Sequence, residues 1–108
     1  EQNDAILARV KEGSAIVNAT GLGKDRPGSP LTDNAVFPKG SLVWEINYRG
    51  DLKFMHQALA QQEKQQLKVI DGWKYFIYGW TAVVSEVFHI PITGITLDRC
   101  DEIASKFR

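Results

Sequence analysis

Apolar residues recur along this chain with two periods, and the switches between them divide it into elements. Ile6, Leu7 and Val10 share one helical face after Asn3, which predicts a short helix capped by Asn3 and running to about Lys11, with Gly13 as its stop. Ala15 to Asn18 is a short apolar run that predicts a first strand. Pro38 and Gly40 punctuate the chain before SLVWEINY, where Leu42 to Ile46 predicts a second strand. Asp51 then caps a helical pattern that runs to Gln66, with Leu52, Met55 and Leu59 inside and glutamines and lysines outside. LKVID, from Leu67 to Asp71, predicts a third strand, and Lys74 to Phe88 a long helix. Thr96 or Asp98 opens a last helix with a stripe of Leu97, Ile103, Ala104 and Phe107.

Strands alternating with helices imply parallel strands joined by right-handed crossovers. The strands show no clean in/out alternation, which suits a sheet covered on both faces. The fold class expected is therefore α/β, a three-layer sandwich. Its parallel sheet is small, and the chain opens on a helix, so residues 1–108 read as part of a larger doubly wound domain.

The carboxyl ends of parallel strands are where such sheets bind ligands. Three of them are readable: Asn18-Ala19-Thr20-Gly21, Asn47-Tyr48-Arg49-Gly50 and Asp71-Gly72-Trp73. The first runs into a long Gly/Pro loop, TGLGKDRPGSP, and loops of that length in compact domains are functional or disordered. Each residue also has a plain reading. Asn18 suits an Asx-turn, Gly21 and Gly23 suit positive φ, Lys24 and Arg26 suit solvent, Tyr48 suits half-buried packing, and Asp71-Gly72 suits a turn. Their shared placement at three strand ends is what points to a site. The helix that follows carries Trp73, Tyr75, Phe76, Tyr78 and Trp80 within eight residues, more than one small core can face. Either it is buried on most sides or one face docks on a domain or subunit.

Charge narrows the partners. Thirteen basic residues balance thirteen acidic ones, so no basic field is present to displace phosphate counterions, and nucleic acid is not expected as a partner. No apolar run reaches membrane-spanning length, so no membrane partner is expected either. Cys100 is the single cysteine, which fits a reducing, cytoplasmic setting. His56 and His89 lack metal-ligand spacing, so no metal site is expected. None of the serines sits in a nucleophile elbow, and Glu45 and Glu86 read as structural or solvated, so no catalytic residue is assigned.

Three segments together resemble the shikimate dehydrogenase family. AIVNATGLG is similar to its Asn-Ala-Thr-x-x-Gly strand-loop, LVWEINY to its strand ending Asp-x-x-Tyr, and VIDGWKYFIYGWTAVVSEVF to its Asp-Gly segment and apolar helix. The order and spacing match across most of the chain. The resemblance implies an oxidoreductase that interconverts 3-dehydroshikimate, or a related cyclic hydroxy acid, and its alcohol, with NADP (or NAD) as cofactor. It implies that Asn18, Ala19, Thr20, Gly23 and Gly72 lie near the cofactor and Tyr48 beside the small-molecule substrate. Glu45 stands where the family has Asp, Gly50 where proline commonly follows, and Gly79 where the helix usually has a substrate-binding Gln. The glycine-rich phosphate loop and the family's catalytic Lys and Asp are not among these residues. The chain thus reads as the carboxyl-terminal portion of a cofactor domain, which contacts a substrate domain or forms a homo-oligomer. The rival reading is a non-catalytic Rossmann-like module that binds a partner subunit through its aromatic helix.

Overall fold

The computed structural model describes residues 1–108, which divide into two compact units, Glu1–Gly72 and Trp73–Arg108. The first holds α1 (Gln2–Leu7), β1 (Ala15–Asn18), β2 (Leu42–Glu45), α2 (Lys53–Leu59), α3 (Gln62–Gln65) and β3 (Lys68–Ile70). The three strands form one parallel sheet in the order β1-β2-β3. Ala15 to Asn18 pair in register with Leu42 to Glu45, and Leu42 to Trp44 with Lys68 to Ile70. The α/β class and the parallel sheet expected from the sequence are what the chain adopts.

β2 is central, and burial alternates along it, with Val43 and Glu45 inaccessible while Leu42 and Trp44 are half-buried. Val43 joins Leu7, Ala35, Phe37, Phe54, Ala58 and Leu67 in the core, and Ile16 and Val69 pack against that cluster from the flanking strands. Phe37 and Phe54 meet edge to face, centroids 5.6 Å apart, the arrangement that matches a positive ring edge to a negative ring face. Cover on both faces was expected. One face carries the core, but Val17 and Ile70 on the other are exposed.

Helix boundaries in the first unit differ from the sequence pattern. α1 ends at Leu7 because Leu7 is its only buried residue, and a further turn with nothing to pack on does not repay its ordering. Asn3 does not cap it but donates from Nδ2 to the Pro30 carbonyl at 2.9 Å. The neighbouring Asp4 carboxylate accepts from the Thr32 backbone N–H and hydroxyl, which holds its pKa below the ordinary carboxylate value. The predicted helix from Asp51 to Gln66 is two helices, and its N-cap position is Leu52, in the left-handed region. The break falls at Ala60-Gln61, where Gln61 donates to the Ala35 carbonyl (2.8 Å) and accepts from the Phe37 N–H (3.0 Å). Gln61 thereby satisfies the backbone of the long loop just where that loop dips into the core.

The second unit is a helical pair, α4 (Trp73–Phe88) and α5 (Gly94–Ser105). α5 starts at Gly94 with Thr93 as N-cap, earlier than the Thr96 or Asp98 start expected. Trp73 and Ile77 are buried, whereas Tyr75, Tyr78 and Trp80 are exposed, so the aromatic residues do not share one core. No helix is long and apolar enough to cross a membrane.

A clasp joins the two helices at Asp101. Its carboxylate accepts from Trp73 Nε1 at 2.7 Å and pairs with Lys74, and Arg108 lies over the Trp73 ring at 4.7 Å. The Lys74 ammonium and the indole N–H hold the Asp101 pKa down, and Asp101 raises that of Lys74. A lowered carboxylate pKa stabilises fully above the unfolded value and is lost as pH falls through the folded one. A raised lysine pKa stabilises below its unfolded value and is lost as pH rises through the folded one. The clasp is therefore intact across neutral pH. It should weaken progressively below about pH 4, read as hydrogen-exchange protection lost first in α5. Asp101→Asn should show the same loss of α5 protection already at pH 7.

Candidate functional site at the strand ends

Parallel pairing brings the carboxyl ends of β1, β2 and β3 to one edge, and the segments singled out by sequence gather there. The organiser is Glu45, the last residue of β2 and completely buried. Its carboxylate accepts from Asn18 Nδ2 (2.9 and 3.1 Å to the two oxygens), from Asn47 Nδ2 (2.7 Å) and from the Asn47 backbone N–H (3.0 Å). None of the ion pairs in the structure includes Glu45. Its two oxygens are met by neutral donors alone, as a buried polar group requires when no cation is at hand.

The web extends into the loop after β1. Asn18 and Asn47 both donate to the Leu22 carbonyl, at 3.2 and 3.1 Å. Asn18 Oδ1 accepts from the Thr20 N–H (3.1 Å) and hydroxyl (2.7 Å), and the Thr20 hydroxyl accepts from the Leu22 N–H (3.2 Å). This is the Asx-turn considered from the sequence, locked from below by a buried acid. The Asn18 amide is fully engaged, so its contribution to any ligand is to hold Ala19, Thr20 and Leu22 in place.

Two glycines let backbones close on one another. A Cβ on Gly50, whose φ is +103°, would lie 2.0 Å from the Gly23 carbonyl oxygen. That contact straps the first loop onto the segment after β2, with the Leu52 N–H donating to the Gly23 carbonyl at 3.1 Å. Only glycine combines that φ with that proximity, which accounts for Gly50 in place of proline. A Cβ on Gly72 would lie 1.8 Å from the Ile46 carbonyl oxygen, and the Gly72 N–H donates to the Asn47 carbonyl at 3.2 Å. The third strand end is thereby stitched to the second. Tyr48 is half-buried beside them, with Lys24 Nζ 5.0 Å from its ring centroid and Arg49 5.9 Å, a cation–π arrangement that orients the phenol.

The structure thus brings Asn18, Ala19, Thr20, Gly23, Tyr48 and Gly72 to one edge. Sequence reasoning missed Glu45 and Asn47 as its centre. The signal was the period-two phase: residues 41, 43, 45 and 47 share a side, and Ser41, Val43, Glu45 and Asn47 are all buried. A groove of about 480 Å³ lined by Asp33, Lys53, His56 and Gln57 shares no residue with this set. Its Lys53 already faces Asp33 at 3.5 Å.

Comparison with known proteins bears on this edge. Over 75 residues the chain is 31% identical to the shikimate dehydrogenase (NADP(+)) of Streptococcus gordonii, a stretch covering 68% of this chain and 25% of that protein. It is 36% identical over 62 residues to the enzyme of that name from Streptococcus pneumoniae strain JJA, covering 56% of this chain and 22% of that one. With that of Streptococcus pneumoniae strain Hungary19A-6 the identity is 37% over 57 residues, 52% of this chain and 20% of the relative. The chain spans at most about a quarter of the length of these curated relatives. No family model and no solved structure matches it. The similarity is therefore partial, and it runs to dehydrogenases.

Proposed function

We propose that residues 1–108 form the carboxyl-terminal part of the cofactor domain of a shikimate dehydrogenase-like oxidoreductase, and supply its nicotinamide-side wall. The observation that carries this reading is the convergence of three parallel strand ends, tied together through Glu45, Asn18 and Asn47. The partial similarity to enzymes named shikimate dehydrogenase (NADP(+)) supports it. In this reading NADP is the cofactor and the substrate is 3-dehydroshikimate or a related cyclic hydroxy acid. The nicotinamide, when bound, supplies the hydride chemistry. The backbone of Ala19 to Gly23 and the main chain at Gly72 would hold the nicotinamide half of the cofactor, and Tyr48 would stand beside the substrate. No residue here is assigned as the proton donor.

The test is titration of the ¹⁵N-labelled chain with nicotinamide mononucleotide. Shifts should gather at residues 18–23, 47–48 and 71–72, with affinity no tighter than roughly millimolar. Shifts elsewhere, or none, would overturn the assignment of the site. In calorimetry NADPH should bind no more tightly, because the chain carries no glycine-rich loop to seat a pyrophosphate on a helix N-terminus. Micromolar heats would show that a phosphate site exists within these residues and would contradict the division of labour proposed.

A further inference from the structure

The second half of α4 carries an apolar stripe that nothing in its own unit covers. Trp80, Val83, Val84, Val87 and Phe88 follow one another at i, i+3, i+4, i+7 and i+8 and so fall on one helical face. Their exposure runs from 38% at Val84 to 64% at Val87 and Phe88. The same face is buried one and two turns earlier, at Trp73 and Ile77. Only two residues of α4 are charged, Lys74 and Glu86, and Glu86 sits a little over half a turn from Val84, on the other side of the helix.

We propose that this stripe pairs with the same stripe of a second copy, the two helices running antiparallel about a two-fold axis at Val84. The pattern is self-complementary. Trp80 and Phe88 lie four residues either side of Val84, so the two-fold sets Trp80 of each copy against Phe88 of the other. The three valines between them let the backbones approach to the 8–10 Å usual for packed helices. With 150–250 Å² for a whole aromatic side chain, the stripe leaves roughly 500 Å² uncovered per copy. A pair would bury on the order of 1,000 Å², the lower bound of a specific interface. Antiparallel helices also oppose their macrodipoles, and no like charges meet on the axis. The interface is isologous and closes at two copies.

Sedimentation velocity of the full chain from about 2 to about 200 µM tests this, with a dissociation constant expected in the tens of micromolar. Trp80→Glu and, separately, Val87→Lys should each weaken the dimer at least tenfold and leave the far-ultraviolet circular dichroism unchanged. A disulfide needs Cα atoms within about 7 Å, so Val84→Cys in a Cys100→Ser background should give a covalent dimer under mild oxidation. Ala82→Cys, on the opposite face, should not. A monomer across the whole range would overturn the proposal, as would a dimer insensitive to both charged variants or open-ended association. A monomer that retains exposed Trp80 would leave the strand-end site unaffected, since the two rest on different units.

Discussion

Glu45→Ala should lower the stability of the strand-loop unit by about 3 kcal/mol. The carboxylate is the shared acceptor for both side-chain amides and one backbone N–H at the strand ends. Removing it leaves buried donors unsatisfied, at about 1–3 kcal/mol each before water relieves part of the loss. Glu45→Gln is the sharper variant. It keeps the shape but turns one oxygen into a donor that faces the amides of Asn18 and Asn47. It should cost about 1–2 kcal/mol and loosen the loop more than the sheet. Hydrogen exchange reads both effects, with protection lost first at Thr20, Leu22 and Asn47, then along β1 and β2. Wild-type protection in Glu45→Gln would mean that the web does not depend on a carboxylate.

Gly72→Ala should be at least as damaging. Its Cβ would stand 1.8 Å from the Ile46 oxygen and 2.4 Å from the Ile46 carbonyl carbon. Both are backbone atoms of the central strand's exit, so no side chain can swing aside. The third strand must move out by more than an ångström, which breaks the Gly72 to Asn47 hydrogen bond. A loss of about 3 kcal/mol or more is expected, at the upper end for a single substitution. Gly79→Ala is the control: nothing lies within 4 Å of its would-be Cβ. Replacing glycine by alanine in a helix interior should there stabilise by about 0.5–1 kcal/mol. Urea denaturation of both variants, followed by exchange in β2 and in α4, gives the comparison. Equal stability of Gly72→Ala and the parent chain would refute the stitched strand ends.

These two residues also show how far the sequence reaches. Short apolar runs were enough to place β1, β2 and β3, and their alternation with helical patterns was enough to make them parallel, because a crossover helix returns the chain in the same direction. The three segments at their carboxyl ends followed from the strand-end rule. The sequence also marked α4 as a helix with more aromatic surface than one core accommodates, and its exposed Tyr75, Tyr78 and Trp80 agree.

What the tertiary structure alone decided lies in contacts between residues far apart in the chain. Glu45 reads as either structural or solvated, and only setting β1 and β2 side by side decides for the first, since its partner Asn18 is 27 residues away. The split of the predicted helix at Gln61 has no local breaker. It follows from the demand of a loop 24 residues away for a donor and an acceptor. Gly50 and Gly72 look like ordinary turn glycines until the backbones they admit are known. Periodicity sees the face a residue presents, whereas a buried polar group is explained only by the partner that folding brings to it.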